Sequence, residues 1–565
     1  MEARQVHEAP PDPHRWPKQI QYIVGNEAAE RFSYYGMRSI LALYITQSLL
    51  QTKDRATTII HLFGFANYFM PLLGAWLSDR FWGRYHTILW ISLFYCAGHG
   101  VLATSDLFLT VNAKLICLYT GLGLVAFGAG GIKPCVSAFM GDQFGPHQGH
   151  LMRKAYGAFY FSVNFGSFFS FLVIPWIASR PEAQLAVDAG AWDRLLWHFK
   201  QAGFTGYSWA FGVPGIVMGL ATLIFWLGTK HYVRKPPMRE TRMAGFLSVF
   251  FAACRSLSRG PASLKAVALV SVLNTVALPL VLMVGMVFVA IQQQVTPAVK
   301  VVGWVAMSCF VLWYLLVLGT SLSNRSELPD EFWNGARPRY NEPEISAARS
   351  VAPILTVLAL VPAFWALFEQ STSTWVLQGA QMQPFRLFGF QIGAEQMQSL
   401  NPLLVMILVP ALNWGLYPFL ESCGLRITAL RRMSLGLLLT AASYVVVGWL
   451  QHRIEAKETL SLAWQSVPYV IITTAEVLVS TTGLEFAYTQ AAPSMKSTIM
   501  SFWLLTVALG NLLVTTITQL GGGHGDESVS SDRFYLYAGM TAGVAFLFAL
   551  IATRYRYRDD APPPA

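Results

Sequence analysis

Long apolar segments, separated by short polar connections, run through most of the chain. Each is about 20 residues or longer, which is the length an α-helix needs to cross a bilayer. The pattern predicts about fourteen transmembrane helices, near 27–51, 57–79, 86–105, 112–140, 153–178, 206–228, 265–292, 299–322, 350–379, 396–420, 430–450, 464–490, 497–519 and 533–553. Longer polar stretches after the sixth and eighth segments divide these helices into groups of six, two and six. We therefore predict an all-α polytopic membrane protein with an N-terminal six-helix bundle (1–228), a cytoplasmic linker with two inserted helices (229–349) and a C-terminal six-helix bundle (350–565).

The composition is that of a membrane protein. Charged residues make up 12% of the chain, against about 25% in a typical soluble domain, and the mean hydropathy is +0.44. The segment from Met1 to Gln21 is polar and proline-rich, and it has neither the apolar core nor the cleavage site of a signal peptide. We therefore expect the first apolar segment to be a membrane helix in its own right.

The placement of lysine and arginine predicts the orientation. Eight of these residues lie between Lys230 and Lys265, whereas the connections near 105–106, 381–395 and 521–532 contain few. Because basic loops are retained on the cytoplasmic side, both termini are expected in the cytoplasm. The formal net charge of +10 is thereby assigned to cytoplasmic loops, and we expect no nucleic-acid partner. The six cysteines have neither CxxC nor Cys/His metal spacing, so we expect neither a disulfide nor a metal site.

The linker after the sixth segment contains one further helical pattern. Residues 243–257 place apolar side chains on one face of a helix. Such a helix lies on the membrane surface or forms a solvated connection, and the sequence leaves both interpretations open.

The first apolar segment carries an unusual set of charges, in the stretch E-A-A-E-R-F-S-Y-Y-G-M-R from Glu27 to Arg38. A charge at the bilayer centre costs roughly 2.5–3.5 kcal/mol on the insertion scale, so these charges need partners, water or a function. One helical face holds Glu27, Glu30, Arg31, Tyr34 and Arg38. A position among the lipid headgroups suits Glu27 but not Arg38, which lies two to three turns further along. We favour a polar stripe that faces a water-filled cavity.

Lys133 is the principal charge in the fourth segment, and it follows the run G-A-G-G-I-K-P from Gly128 to Pro134. The small residues permit close helix contact, and a buried lysine requires a carboxylate, which Glu27 and Glu30 can supply. A phosphate-binding loop is a poor interpretation because no strand precedes the glycines.

The other segments contain further polar and aromatic candidates. The intramembrane polar residues are His61, Asn164, Glu369, Glu476 and Glu485. For His61, a hydrogen-bonded packing role competes with a role in proton transfer. For the aromatic candidates, a core position competes with a place in a binding pocket; these are Tyr34, Tyr35, Tyr68 and Trp503.

The connection between the second and third segments reads G-A-W-L-S-D-R-F-W-G-R, from Gly74 to Arg84. It resembles the cytoplasmic loop signature of the major facilitator superfamily. The six-plus-six plan with two inserted helices separately suggests a transporter built of two bundles around a site at the membrane midplane. Asp79 and Arg84 would then latch the two bundles in one state. An ordinary tight turn with capping charges is the alternative.

Several segments resemble the signatures of the proton-coupled oligopeptide transporter (POT/PTR2) family. Glu27–Gly36 is similar to the ExxER…YYG motif of the first helix, Gly128–Phe144 to the fourth-helix signature, and Phe159–Ser167 to the fifth-helix FYxxxNxGS motif. Further matches are Phe364–Gln370, Ser399–Pro402 and the run from Glu476 to Tyr488. The similarity covers nearly the whole chain, including two inserted helices that are common in bacterial members.

The resemblance implies a symporter that imports di- and tripeptides, and peptide-like drugs, with an inward proton gradient. It implies no enzymatic activity and no cofactor other than the co-transported protons. It further implies a monomeric multi-pass protein of the plasma membrane, the inner membrane of a bacterium.

The resemblance also assigns roles to residues. The peptide carboxylate would be bound by Arg31, Arg38 and Lys133. The peptide amino group would be bound by Glu476 together with Asn164 and Asn401. The side-chain pockets would be lined by Tyr34, Tyr35, Tyr68 and Trp503. Proton coupling would involve Glu27, Glu30, Arg31 and Lys133, with Glu369 as the gating acid and His61, which is similar to a second-helix histidine of animal members, as a further participant.

Other functions were weighed against this one. A nitrate or other anion carrier of the same family generally lacks both the intact ExxER motif and the fourth-helix lysine, and an exporter on the same fold is similarly disfavoured. A non-transporting peptide receptor would have the same binding residues. An intramembrane enzyme is disfavoured because His99 and Asp106 form no clear catalytic pair and no Ser, Cys or metal constellation has a base at a sensible spacing.

Overall fold

The computed structural model describes residues 16–145, 147–179, 206–237, 245–257, 261–292, 294–323, 328–424, 428–521 and 525–557. Within these residues almost all regular structure is helical. Two short strands, β1 (Phe385–Leu387) and β2 (Phe390–Ile392), form an antiparallel hairpin in which Phe385 pairs with Ile392. Parts of the basic linker, 238–244 and 258–260, lie outside the described residues.

The first part of the chain forms six long helices. They are α1 (Ile20–Leu43), α2 (Lys53–Leu77), α3 (Gly83–Ala103), α4 (Val111–Gly141), α5 (Gly149–Ala178) and α6 (Gly206–Leu227). Widened π-helical turns at Tyr44–Ser48 and Ser78–Trp82 extend the ends of α1 and α2. Helix α4 begins where the side chain of Thr110 accepts a hydrogen bond from the backbone N–H of Ala113, so this residue caps the helix.

The middle of the chain contains the linker helix and the two inserted helices. The elements are α7 (Phe246–Leu257), α8 (Ala262–Val272), α9 (Leu278–Ile291), α10 (Pro297–Leu322), α11 (Asp330–Asn334) and α12 (Glu342–Arg349). A π-helical turn at Leu273–Ala277 joins α8 to α9, which together form one inserted helix, and α10 is the other. Asn341 and Glu344 form a reciprocal capping box at the start of α12.

The last part of the chain is also helical. Its elements are α13 (Val351–Leu358), α14 (Pro362–Phe368), α15 (Thr374–Gly379), α16 (Leu400–Pro410), α17 (Tyr417–Ser422), α18 (Ala429–Glu455), α19 (Ser466–Glu476), α20 (Thr482–Gln490), α21 (Lys496–Leu520) and α22 (Ser531–Arg554). Two π-helical turns, Ala411–Leu416 and Val477–Thr481, continue α16 into α17 and α19 into α20.

The number of membrane helices agrees with the prediction. Among the described residues, 11 helical stretches are long and apolar enough to span a membrane, or 12 when a bent pair is counted as one span. One of these stretches, Lys53–Leu107, contains both α2 and α3. Helix α1 is long enough but carries four charged residues, and its inclusion gives the predicted total of about fourteen.

One predicted span, 350–379, differs in shape from a single straight helix. The helical stretch Glu342–Leu358 is bent by 46° relative to Pro362–Gly379. Pro362 has no backbone N–H to continue the helical ladder, and a 3-10 turn at Glu369–Thr372 interrupts the second stretch again. The sequence pattern shows the apolar run but not these breaks.

The described residues group into two compact units. Unit 1 is Met1–Ile40 with Met70–Arg239, and unit 2 is Leu41–Phe69 with Glu240–Ala565. Helices α1 and α2 therefore contribute residues to both units. The predicted three-part division at 228 and 349 remains a prediction, since compactness alone does not test it.

Glycines allow close helix packing in unit 1. A Cβ atom on Gly74 of α2 would lie 2.5 Å from the carbonyl oxygen of Gly130 and 2.7 Å from Cα of Gly131, both in α4. A Cβ atom on Gly128 would lie 2.6 Å from Cβ of Tyr95 in α3. The glycine-rich run before Lys133 thus brings α4 against α2 and α3, as its small residues suggest.

Helix α7 confirms that residues near 243–257 form an amphipathic helix. Its inner face is buried, and Phe250 contacts Phe332 of α11 with 5.7 Å between ring centroids. Phe246 contacts Phe502 of α21 at 6.1 Å. This face therefore packs against protein, while Leu247 and Phe251 on the opposite face are exposed.

The connection that resembles the superfamily signature contributes Arg84 to an ion-pair group. Arg84 pairs with Asp142 at the end of α4, and Lys235 Nζ lies 2.7 Å from the same carboxylate. These three residues belong to unit 1. Asp142 therefore binds both cations here, and the latch role of Asp79 and Arg84 remains a prediction.

Candidate functional site

The charged residues of α1 form an ion-pair cluster. Arg31 Nε lies 2.6 Å from Glu27 Oε1 and 3.0 Å from Glu30 Oε2. Glu27 and Glu30 are buried, with 2% and 0% of their surfaces exposed, and Arg31 is nearly so. The pairing of Glu27 with Arg31 follows from their spacing of four residues along the helix. In this arrangement one guanidinium group is shared by two carboxylates.

Lys133 joins this cluster from α4. Its Nζ lies 4.3 Å from the centroid of the Tyr34 ring, within the range of a cation–π interaction. The charge of Lys133 also acts on Glu30. Tyr35 packs edge-on against Tyr34, with 5.1 Å between ring centroids. The structure thus brings Glu27, Glu30, Arg31, Tyr34 and Lys133 together in unit 1.

Arg38 and Asn164 complete the candidates of unit 1. Arg38 is 2% exposed and lies on α1 one turn beyond Tyr34. Asn164 is also buried, and its Nδ2 donates to the carbonyl of Tyr160 in its own helix at 3.0 Å. Helix α5 approaches α1 through Gly166, where a Cβ atom would clash with the carbonyl oxygen of Ala28. Arg38 therefore lies on a helix that carries the cluster, and Asn164 lies on a helix that packs against it.

Unit 2 holds a second polar group, centred on Glu476. Asn401 Nδ2 donates to Glu476 Oε2 at 2.6 Å and lies 3.2 Å from Thr473 Oγ1. The π-helical turn Val477–Thr481 begins directly after this glutamate, and such turns occur frequently at functional sites. Thr473 was not a candidate from the sequence, although its spacing of three residues from Glu476 places both on one helical face.

Glu369 and Trp503 lie in the same unit. Glu369 is 2% exposed and begins the 3-10 turn Glu369–Thr372, and its charge acts on Glu476. Trp503 of α21 is 6% exposed and stands edge-on to Trp365 of α14, with 6.1 Å between ring centroids. Trp503 thus has a packing contact, and Tyr68 is half-buried on α2.

His61 bridges two other helices in unit 2. Its Nδ1 lies 2.8 Å from Asn511 Oδ1 on α21, and its Nε2 lies 2.9 Å from the Ser373 hydroxyl. Because Asn511 Nδ2 donates to the carbonyl of Val507, its Oδ1 is left to accept from His61. Neutral His61 therefore carries its proton on Nδ1 and accepts from Ser373 at Nε2. Neither Asn511 nor Ser373 was a candidate from the sequence. The one feature that could have indicated them is that both are polar residues within apolar segments.

These residues supply two kinds of chemistry. Unit 1 presents cations that are balanced by buried carboxylates, which suits the exchange of one anionic partner for another. Unit 2 presents a buried carboxylate held by an amide, which suits a cationic group. Within the described residues, no group of three or more His, Cys, Asp or Glu side chains is arranged to hold a metal ion.

Comparison with known proteins gives the family. The family model described as PTR2, the POT family, matches residues 85–522. The chain is 32% identical over 448 residues to "Peptide transporter family 1" of Drosophila melanogaster, covering 79% of this chain and 49% of that protein. It is 29% identical over 445 residues to "Solute carrier family 15 member 2" of Homo sapiens, covering 78% of this chain and 50% of that protein. The chain therefore spans about half the length of these relatives.

Solved structures match over almost the full length. The crystal structure of an auto-inhibited POT family peptide transporter has a TM-score of 0.77 and 38% sequence identity, covering 97% of this chain and 99% of that chain. The POT family transporter PepTSo has a TM-score of 0.76 and 38% identity, covering 95% of this chain and 98% of that chain. These matches give the fold of the major facilitator superfamily. The chain belongs to the POT family, a family of multi-pass membrane transporters and not of enzymes.

Proposed function

We propose that this protein is a proton-coupled symporter that imports di- and tripeptides by alternating access. The observation that carries the proposal is the position of Arg31, whose Nε lies 2.6 Å from Glu27 and 3.0 Å from Glu30. When one of two buried carboxylates that neutralise a guanidinium group takes up a proton, the guanidinium group becomes available to another anion. It is therefore suited to couple protonation to the binding of an anion.

The peptide termini provide the matching charges. A zwitterionic peptide has one carboxylate and one ammonium group, which require a cationic and an anionic partner. Arg31, Arg38 and Lys133 are assigned to the carboxylate. Glu476, together with Asn164 and Asn401, is assigned to the ammonium group. Recognition of the termini leaves the side chains free to vary, with Tyr34, Tyr35, Tyr68 and Trp503 assigned to the side-chain pockets.

Coupling follows from competition for the cations. When Glu27 and Glu30 are ionised, they occupy Arg31 and balance the charge of Lys133, so these groups compete poorly for a peptide carboxylate. Protonation of one glutamate frees a cation for the substrate, and proton and peptide then favour the same state. Glu369 is assigned as the gating acid of unit 2, and His61 as a further proton-linked group. The only co-transported species besides the peptide is the proton, and no cofactor takes part.

The cellular setting completes the proposal. The protein is assigned to the plasma membrane, specifically a bacterial inner membrane, with both termini in the cytoplasm. It works as a monomer in the lipid bilayer. Its transport core is formed by 1–228 and 350–565, with 229–349 as a linker and inserted pair, and peptide-like drugs are a second class of substrate.

Two alternatives are separable by experiment. A nitrate or other anion carrier would use the same cations but has no need for Glu476 and its amide partner. A non-transporting receptor would bind peptide without accumulating it. The pairing of Asn401 with Glu476 at 2.6 Å favours a substrate with a cationic end over a simple anion.

The test is uptake of radiolabelled dialanine into proteoliposomes with and without an inward proton gradient. Unlabelled tripeptide, free alanine and nitrate serve as competitors. If the protein is a symporter, labelled dialanine should accumulate when the proton gradient is imposed, and of the three competitors only the tripeptide should block this accumulation. Binding without accumulation would identify a receptor, and competition by nitrate would identify an anion carrier.

A further inference from the structure

Four buried residues on α1 and α3 present polar atoms that require partners. Asn26, Glu30, Tyr95 and His99 are each 0% exposed. Among the described residues, no hydrogen-bond partner is found for either amide atom of Asn26, for Glu30 Oε1, for the Tyr95 hydroxyl or for His99 Nε2. Buried polar groups are normally bonded to protein or to ordered water, because an unmet group is costly. The concentration of such atoms around Glu30 therefore requires an explanation.

The four residues lie on helix faces that converge. Asn26 and Glu30 are four residues apart on α1, and Tyr95 and His99 are four residues apart on α3, so each pair shares a face. The Tyr95 and His99 rings contact each other with 5.1 Å between centroids. Tyr95 also packs against α4, where a Cβ atom on Gly128 would lie 2.6 Å from Tyr95 Cβ, and Lys133 of the cluster follows Gly128 by five residues.

Helix α6 contacts both α1 and α3 on the faces that carry these residues. Ser33 Oγ of α1 donates to the carbonyl of Pro214 at 2.7 Å, and His99 Nδ1 of α3 lies 3.2 Å from the carbonyl of Phe211. Phe211 and Pro214 are three residues apart and therefore face the same side of α6. A Cβ atom on Gly215 would lie 2.7 Å from His99 Cβ, so α6 also fixes the position of the imidazole.

The tautomer of His99 follows from its partner. A carbonyl oxygen only accepts, so neutral His99 donates from Nδ1 to Phe211 and presents a lone pair at Nε2. The Tyr95 hydroxyl both donates and accepts one hydrogen bond. When it accepts from a protonated Glu30, its own proton points elsewhere and is costly to leave without an acceptor, and Nε2 of His99 supplies one.

We propose that ordered water joins Asn26, Glu30, Tyr95 and His99 into a network that stabilises the protonated form of Glu30. Through water, the Tyr95 hydroxyl accepts the hydrogen bond of the protonated carboxyl and donates its own hydrogen bond to His99 Nε2. When Glu30 loses its proton, the tyrosine turns and donates to the carboxylate. Tyr95 and His99 are thus positioning residues for the proton site, an inference that rests on the proposed proton coupling.

The other groups that face Glu30 do not replace this network. The charged groups that face Glu30 are Glu27 and Arg31 of α1, with Arg31 Nε 3.0 Å from Glu30 Oε2, and Lys133 of α4, which lies over the Tyr34 ring. Helices α5 and α6 approach α1 at Gly166 and Pro214, which carry no ionisable side chain. None of these groups accepts a hydrogen bond from a protonated Glu30 without carrying a charge of its own, and the proposal assigns that part to Tyr95 of α3.

A matched pair of variants tests the role of the acceptor. His99→Gln keeps an acceptor near the position of Nε2, whereas His99→Met has a similar shape and no comparable acceptor. In full-length protein reconstituted in liposomes, the pH of half-maximal dialanine uptake should move about one unit towards acid in His99→Met and stay near the wild-type value in His99→Gln, as expected for the loss of one hydrogen bond. Equal behaviour of the two variants would overturn the proposal.

A spectroscopic readout separates this proposal from the proposed function. The carboxylic C=O band of Glu30, identified as the infrared band that Glu30→Gln removes, should titrate at lower pH in His99→Met whether or not peptide is transported. An unchanged titration overturns the network, while failure of wild-type uptake overturns only the symporter. If His99→Met does not fold, Tyr95→Phe must still shift the frequency of this band, and Tyr314→Phe, which removes another buried hydroxyl without a partner, must not.

Discussion

The Asn401 amide donates to Glu476 Oε2 at 2.6 Å, across 75 residues of sequence. The same amide nitrogen lies 3.2 Å from Thr473 Oγ1, so it is held between the two side chains. A carboxylate fixed in this way retains lone pairs for an ammonium group without a loss of orientation. The pair therefore gives unit 2 a defined anionic position.

Neutralising this carboxylate should weaken peptide binding. Glu476→Gln keeps the size of the side chain but removes the charge that pairs with the peptide ammonium group. Charge-assisted hydrogen bonds contribute roughly 1.5–3 kcal/mol, so the affinity for dialanine should fall about tenfold to a hundredfold. Isothermal titration with dialanine measures this change, and an N-acetylated dipeptide should be affected much less. Glu485→Gln on α20 is the matched control, and equal losses in both variants would contradict the assignment.

A glutamine at position 61 separates hydrogen bonding from titration. His61→Gln retains a donor and an acceptor for Asn511 and Ser373, which lie 2.8 and 2.9 Å from the imidazole, but it takes up no proton near neutral pH. If His61 is proton-linked, this variant should fold normally and exchange peptides, yet accumulate less dialanine under a proton gradient. Accumulation equal to that of the wild type would make His61 a structural bridge only.

Packing of α2 against α4 should tolerate no side chain at Gly74. The added methyl group of Gly74→Ala would meet backbone atoms of Gly130 and Gly131 at 2.5 and 2.7 Å, so the helices must separate. Overpacking of this kind costs about 1–3 kcal/mol and should lower the melting temperature of the detergent-solubilised protein. A Cβ atom on Gly123 of α4 would meet nothing within 4 Å, so Gly123→Ala should not lower the melting temperature. A melting temperature of Gly74→Ala equal to that of the wild type would contradict the packing.

Glu395, in the loop between β2 and α16, should make stability depend on pH. Burial raises the pKa of this carboxyl from its ordinary value of 4.5 to about 8. Below the ordinary value the group is protonated in the folded and unfolded states alike, so its contribution is fully present there. As pH rises from the ordinary value of 4.5 to about 8, the unfolded state releases the proton before the folded state does, so this stability is lost over that range and the loss is complete above it. Glu395→Gln should flatten this decline in thermal unfolding measured from roughly pH 5 to about pH 9, and parallel curves for variant and wild type would contradict it.

Features governed by local spacing were predictable from the sequence. The apolar segments gave the membrane helices, and the spacing of Glu27 and Arg31 gave their pairing. The glycine run before Lys133 indicated close packing, and Gly130 does approach Gly74. The paired residues Glu27 and Arg31 lie one turn apart on the same helix, and the glycines permit a close helix contact through their small size alone.

Features that depend on distant partners were not predictable. Arg84 pairs with Asp142, 58 residues away, although Asp79 is closer in sequence. The helical stretches Glu342–Leu358 and Pro362–Gly379 are bent by 46°, and the apolar run alone does not encode this angle. Tyr95 was not a candidate from the sequence and His99 was considered only with Asp106, because the burial of their unpartnered polar atoms is visible only in the structure.

Counterflow in proteoliposomes tests the central claim, that the carboxylates bonded to Arg31 couple protons to peptide. Glu27→Gln removes the charge at 2.6 Å from Arg31 Nε while keeping a side chain that fills the same space. The account predicts that this variant exchanges internal for external dialanine at a rate close to that of the wild type but no longer accumulates it when an inward proton gradient is imposed. Loss of exchange and accumulation to the same degree, or accumulation as strong as in the wild type, would contradict the account.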